Sequence, residues 1–190
     1  MSSLVPDPLP PDLAERARRI RLLVLDVDGV LTDGGITLHA DGSETKTFHV
    51  RDGHAVKLLQ RAGIEVAIVS GRRSAPTDLR AADLGITLVH QGALDKAQAL
   101  DALLAARGLD PAEVAYVGDD VVDLPVLRRV GLAIAVADGV DDLAPYVHYR
   151  TRAAGGRGAV RETAELLLRA QGRWAETLAS YVGEPRSETA

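Results

Sequence analysis

Two carboxylates, Asp26 and Asp28, stand two residues apart in the run "VLDVDGVLTDG", Val24 to Gly34, where an apolar segment gives out and their charges repel. Three further apolar runs also end in groups that can do chemistry. Ser70, followed by Gly71 and Arg72, ends "IEVAIVS"; Lys96 comes shortly after "ITLVHQG"; and "GDDVVD", with Asp119, Asp120 and Asp123, follows "EVAY". Each group has a plain structural explanation on its own. Asp28-Gly29 suits a turn, Ser70 a helix cap, Lys96 a solvated helix, and the Asp119 to Asp123 acids a helix start favoured by the helix dipole. Capping does not explain why four run ends together supply carboxylates, a hydroxyl and an ammonium group.

If these ends meet in space, Asp26, Asp28 and Asp119 need a cation among them. Carboxylate and carbonyl oxygens are the donor set of hard Mg²⁺, which keeps positions open for water and a phosphate oxygen. Ser70 and Lys96 then offer a hydrogen bond and a positive charge to the same phosphate. Asp26 can attack phosphorus in line to form an aspartyl phosphate. Asp28 can protonate the leaving alcohol and later take a proton from the attacking water. Phosphate-monoester hydrolysis is so slow in water that enzymes reach accelerations of up to about 10²¹-fold, so positioning and charge neutralisation both carry weight. A calcium-binding EF-hand does not fit, because Gly29 comes too early and Val30 and Leu31 stand where oxygen ligands belong.

The elements that must position these groups follow from the apolar pattern. "RLLVLDV", "IEVAIVS", "ITLVH", "EVAYVG" and "LAIAVA" read as short strands buried on both faces. Helical patterns alternate with them: a short helix over about Asp12 to Arg19, "DGHAVKLLQRAG" from an Asp52 cap to Gly63, "LDKAQALDALLAARG" to Gly108 and "VVDLPVLRRVG" to Gly131. Such alternation predicts an α/β fold: a doubly wound, mainly parallel sheet with helices on both faces and ligands beyond the carboxyl ends of the strands. One segment breaks the rhythm. "GITLHADGSETKTFHV", Gly35 to Val50, has two strand-like arms about Asp41-Gly42-Ser43, which predicts a β-hairpin emerging beside the first acids, as a cap or subunit contact. "GGRGAVRETAELLLRAQG" is a glycine-rich turn feeding a helix, and its "GGRG", Gly155 to Gly158, is expected to help a neighbouring subunit close over its substrate. A short helix around Trp174 to Tyr181 and a frayed "GEPRSETA" end the chain.

Composition limits the alternatives. The 190 residues suit a single domain with a real core of about 21–171, a hairpin of about 35–50, and a C-terminal helix and tail over 172–190. With 46% hydrophobic and 26% charged residues and a net charge of −5, the chain has no overall basic field for nucleic acid. The absence of cysteine excludes disulfides, thiolate catalysis and thiolate metal sites. The histidines, at 39, 49, 54, 90 and 148, never take the i, i+4 spacing of a zinc helix, and the Arg16 to Arg21 cluster reads as a solvated helix face. There is no basic leader or membrane-length apolar run, so the expectation is a cytoplasmic protein with no membrane partner.

The four motifs resemble those of the haloacid dehalogenase superfamily: "DVDGVLTDG", "SGR", Lys96 and "GDDVVD". More narrowly, "FHVRDG", "EVAIVSGR", "AYVGDDVVDLPVL", "VAVAD" and "GGRGAVRE" resemble the 3-deoxy-D-manno-octulosonate 8-phosphate phosphatase family, from about Arg21 to Gln171. The resemblance implies that Asp26 is the nucleophile and a Mg²⁺ ligand, and that Asp28 is the acid/base whose backbone carbonyl also meets the metal. Asp119 would be the third protein ligand, with Asp120 and Asp123 behind it. It also implies that Asp28, His49, Val50, Arg51, Asp52, Gly53, Lys57, Arg72, Arg80 and Lys96 contact the phosphorylated sugar acid. The family often has Asn where His49 stands and Arg where Lys57 stands. It lacks a large cap domain and uses its hairpin to build a homotetramer in which neighbouring subunits help to cover the site.

The expected activity is Mg²⁺-dependent hydrolysis of 3-deoxy-D-manno-octulosonate 8-phosphate, a step of lipopolysaccharide sugar synthesis. A related nine-carbon sugar-acid phosphate is the alternative substrate. A phosphoacceptor receiver domain would place an acid after its third strand, where this sequence has "HQG". A non-catalytic regulatory module has no need of Asp28.

Overall fold

A computed structural model describes Val5 and residues 8–182; the expected tail over 183–190 lies outside the described residues. Helix α1 (Pro11–Arg18) leads into β1 (Leu22–Leu25), followed by a hairpin of β2 (Thr37–Leu38) and β3 (Glu44–Thr45). The chain continues through α2 (Val50–Arg61), β4 (Glu65–Ser70), α3 (Ala75–Leu84), β5 (Leu88–Gln91) and α4 (Lys96–Arg107). Then come β6 (Val114–Gly118), α5 (Leu124–Leu127), β7 (Leu132–Ala135), β8 (Tyr149–Arg150), α6 (Ala159–Ala170) and α7 (Trp174–Val182).

The six-stranded sheet has the order β5-β4-β1-β6-β7-β8, and each neighbouring pair is parallel. Strand β1 therefore sits where the strand order reverses, the place at which open α/β sheets form a crevice. The continuous apolar runs are explained by layers on both faces. Leu23, Leu25, Val66, Ile68, Val117 and Ile134 pack into one core with residues of α1, α2 and α6. The alternate residues Leu22, Val24, Ala67, Val69, Tyr116 and Ala133 pack into a second core with residues of α4 and α5.

Some local expectations change. Helix α2 begins with His49 as its N-cap, so Asp52 lies inside the first turn instead of capping it. The single helix expected over "VVDLPVLRRVG" is a 3₁₀ turn, Val121–Asp123, followed by the four-residue α5, with Pro125 near its start. The sequence reading gave no helix between Gly71 and Leu88, where α3 forms behind Ser74, and did not mark the edge strand β8. The hairpin is short and antiparallel, pairing Thr37 with Thr45 and Leu38 with Glu44.

Candidate active site

Four parallel strands and their loops bring the strand-end residues together. Asp26, Asp28, Ser70, Arg72, Lys96 and Asp119 line one open cleft of about 290 Å³, with Asp120 and Leu94 at its rim. Asp26 follows β1 directly and is 6% exposed. One of its oxygens accepts the Val27 backbone N–H at 2.7 Å and the other accepts Lys96 Nζ at 2.6 Å. Lys96 begins α4 after the Asp95 cap, whose carboxylate accepts the Gln98 N–H, and its ammonium group also donates to Asp123 Oδ1 at 2.7 Å. The loop after β1 turns through Gly29 at φ 81°, a conformation that suits glycine. A Cβ there would also lie 2.0 Å from Asp119 Oδ2, so the Asp119 carboxylate rests directly on the backbone of the first acidic loop.

Asp123, fully buried, organises the β6 end. Its Oδ1 takes Lys96 and the Tyr116 hydroxyl, and its Oδ2 takes the backbone N–H groups of Asp119 and Asp120 at 3.0 and 3.3 Å. Asp120 itself caps the 3₁₀ turn by accepting the Val121 N–H. Tyr116 was not singled out in the sequence, because a tyrosine within an apolar strand reads as core. Its hydroxyl nonetheless donates to Asp123 at 2.6 Å.

The electrostatics are those of crowded acids. Burial pushes Asp26 up to about 6, against the pull of Lys96 and with a further push from Asp123. Burial, then Asp26 and Asp123, pushes Asp119 up to about 7. Burial by itself would lower Lys96, but the Asp26 and Asp123 carboxylates outweigh it and hold its pKa above the usual lysine value. One oxygen from each of Asp26, Asp119 and Asp123 lies within 4.8 Å of the others. All these donors are oxygens, and the burial and crowding that raise Asp26 and Asp119 disfavour bare carboxylates that a hard divalent cation would neutralise, so the residues fit magnesium. Asp123 already accepts two donors on each oxygen, whereas Asp26 accepts one on each, so Asp26 and Asp119 are the carboxylates with room to meet an ion.

Asp28 is arranged differently. Lys46, just beyond β3, donates to its Oδ1, and Arg72 Nη1 lies 3.4 Å from Oδ2. Arg72 also donates to Glu44 in β3 at 2.9 Å. The sequence reading singled out neither Glu44 nor Lys46. The available signal was the alternation of "ETKTF", which turns Glu44, Lys46 and Phe48 inward while Thr45 and Thr47 stay exposed.

The other residues expected to contact substrate lie elsewhere. Among the described residues lining the cleft there is none of His49, Val50, Arg51, Asp52, Gly53, Lys57 or Arg80. Val50 and Arg51 are exposed on the first turn of α2. Arg80 pairs with Asp83 at 2.7 Å, stacks 5.8 Å over Phe48 and fills the space that a Cβ on Gly53 would take. Lys57 points at Gly85, the end of α3. His49 Nδ1 is 3.8 Å from Asp52. The Asp52 carboxylate is buried and accepts the N–H groups of Gly158 and Arg161 at 3.1 and 2.8 Å, so it caps the start of α6 from across the core. Burial, partly offset by these bonds, raises its pKa.

The "GGRG" segment, expected to help cover a neighbouring subunit's site, packs against the first acidic loop of its own chain. The Gly156 N–H donates to Val30, and a Cβ on Gly155 would meet the Gly29 carbonyl oxygen at 1.7 Å. Glu162 holds the preceding turn, accepting the Tyr149 hydroxyl and the Arg152 and Ala153 N–H groups. The segment is the loop and cap of α6, and it forms a wall behind the first acidic loop.

Comparison with known proteins identifies relatives of this chain. A haloacid dehalogenase-like hydrolase family model matches residues 46–131. The 3-deoxy-D-manno-octulosonate 8-phosphate phosphatase KdsC of Yersinia pestis is 49% identical over 164 residues, which cover 86% of this chain and 88% of that protein. The KdsC of Escherichia coli K12 is 49% identical over 166 residues, 87% of this chain and 88% of the relative. A crystal structure of the Moraxella catarrhalis phosphatase of the same name, in complex with magnesium, phosphate and KDO, superposes with a TM-score of 0.88 at 40% identity, covering 90% of this chain and 98% of that one. By fold, by strand-end chemistry and by sequence over most of its length, the chain belongs to the 3-deoxy-D-manno-octulosonate 8-phosphate phosphatase family of haloacid dehalogenase-like hydrolases.

Proposed function

We propose that this protein is a Mg²⁺-dependent phosphatase that hydrolyses 3-deoxy-D-manno-octulosonate 8-phosphate to 3-deoxy-D-manno-octulosonate and phosphate, with Asp26 as nucleophile and Asp28 as acid/base. The observation that carries the reading is the pair of acids at the end of β1, one fixed by Lys96 and the other facing Lys46 and Arg72 across a single cleft. The magnesium complex of the Moraxella relative supports the metal and the sugar acid.

Asp26, the carboxyl group of Asp119 and the backbone carbonyl of Asp28 would hold the ion. When bound, magnesium neutralises the phosphate and the crowded carboxylates. Lys96 keeps Asp26 oriented and adds positive charge beside the phosphate, and Ser70 supplies a hydroxyl at the same strand end. A carboxylate oxygen of Asp26 bonds to phosphorus as the ester P–O bond breaks, and a proton from Asp28 goes to the departing sugar oxygen. Asp28 then takes a proton from the water that hydrolyses the aspartyl phosphate, which restores both carboxyl groups.

The domain organisation proposed is one catalytic unit with an inserted hairpin. The α2–α3 group, with Arg51, Lys57 and Arg80, would serve substrate in a cytoplasmic homotetramer in which a neighbour's surface meets the cleft. Support comes from the separation of that group from the cleft of its own chain, and from exposed Ile36 and Leu38 on the hairpin and Leu94 and Val122 at the cleft. No helix among the described residues is long and apolar enough to cross a membrane.

Steady-state assay on a panel of eight- and nine-carbon sugar-acid phosphates and simple sugar phosphates, with magnesium and with chelator, tests the reading. The eight-carbon substrate is expected to give the highest kcat/KM, and chelation to abolish turnover. Equal turnover across the panel, or turnover without metal, overturns it.

A further inference from the structure

Lys46 is the least expected charge in the molecule. It belongs to a two-stranded hairpin with little core of its own, yet its side chain is only 2% exposed and its ammonium group contacts Asp28. Lysines are almost never buried unless paired. The pairing continues: Asp28 meets Arg72 and Arg72 meets Glu44, two residues before Lys46, so four charges of alternating sign link the hairpin to the loop after β1 and the end of β4. Glu44 and Lys46 share the inward face of the arm, as two-residue spacing requires, while Thr45 faces outward and bonds His39 at 2.8 Å.

We propose that Lys46 is a positioning residue for Asp28: the hairpin of the same chain fixes the direction in which the proposed acid/base presents its carboxyl group to the scissile ester. This rests on the reading of Asp28 as the proton donor. The geometry favours aim over simple anchorage. Each Asp28 oxygen has a cationic partner on a different element, Lys46 for Oδ1 and Arg72 for Oδ2, so losing Lys46 leaves the carboxyl group free to rotate about the remaining contact. A lysine serving only to fix the hairpin could pair with any carboxylate on the sheet end.

A change of leaving group separates the two roles. When Asp26 bonds to phosphorus and the ester bond breaks, a sugar alkoxide needs the Asp28 proton. The p-nitrophenolate ion from p-nitrophenyl phosphate is stabilised by its own ring and leaves without one. The parameter kcat/KM covers steps up to alcohol release, so the later attack of water, common to both substrates, drops out. Lys46→Met should lower kcat/KM for the sugar phosphate by about ten- to a hundredfold, part of the effect of a general acid. For the aryl phosphate it should change by less than about threefold, and Lys46→Arg should restore most of the sugar activity by returning a donor. Equal losses on the two substrates overturn the proposal and leave Lys46 an anchor. Asp28→Asn serves as the reference: if it shows no leaving-group selectivity, the acid reading itself fails, whereas selectivity in Asp28→Asn but not in Lys46→Met sinks the positioning role alone. Should Lys46→Met not fold, Lys46→Ala, which removes the donor to Asp28 without filling the buried space, carries the same comparison.

Discussion

The paired acids that end β1 are two residues apart and live in different surroundings. Asp26 is held by the interior: Lys96 binds it from α4, and Asp123 and Tyr116 back that lysine from β6 and its loop, all of them buried. Asp28 is held from outside the sheet, by Lys46 of the hairpin and by Arg72, itself 40% exposed. The sheet builds the surroundings of the proposed nucleophile, whereas the proposed acid/base depends on the hairpin inserted after β1. Removing the cation on the first side should therefore damage chemistry and stability together, and on the second side mainly chemistry.

The largest expected effect is that of Asp26→Asn. It removes the proposed nucleophile and should lower kcat on the order of 10⁴-fold or more, with the thermal midpoint changed by only a few degrees because Lys96 keeps Asp123. Substantial residual turnover by pure Asp26→Asn enzyme would remove Asp26 from its role. Lys96→Met is the test of coupled damage. It leaves Asp26 and Asp123 buried without a cation and should lower the unfolding free energy by about 3 kcal/mol, read from urea denaturation. A loss as large in Lys46→Met would erase the contrast between the two sides.

Metal removal sharpens the same contrast through pH. In the ion-free protein Asp26 and Asp119 have folded-state pKa values raised from 3.8 to about 6 and about 7. The folded state therefore holds these protons more tightly than the unfolded state. Below about pH 4 both states are protonated and nothing is lost; as pH rises from there through about 7, the ion-free protein loses stability. Magnesium replaces the protons, so its addition should raise the thermal midpoint more at pH 8 than at pH 5. An equal rise at both values would mean that these carboxyl groups do not meet the ion.

The smallest effect concerns a third acid, Asp52, whose partners are backbone groups. Asp52→Asn should cost about 1 kcal/mol, the value of a helix cap, with KM for the sugar phosphate unchanged. A raised KM at unchanged stability would instead make Asp52 a substrate ligand.

These contrasts match what could be read from the chain. Asp26, Asp28, Ser70, Lys96 and Asp119 were legible because each follows an apolar run, and parallel strands bring such ends to one edge of the sheet. Lys46 and Glu44 were not, because their meeting with Asp28 depends on how the hairpin folds back over the sheet, and alternation along a short arm gives a face but no address. Asp52 misled for a related reason: an acid in a first helical turn looks the same whether it caps its own helix or another one. The helix expected after "GDDVV" was too long, since Asp120 and Asp123 cap a 3₁₀ turn and Pro125 begins a separate short helix.

The close seat of Gly155 and Gly156 against the backbone of Gly29 and Thr32 bears on the order in which the protein matures. A ribosome delivers β1 early, but the wall behind its acidic loop arrives only with the stretch leading into α6, more than a hundred residues later. A nascent chain that has released every catalytic side chain still lacks that support. The acidic loop is thus backed by a long-range contact that can form only after the stretch into α6 has been made.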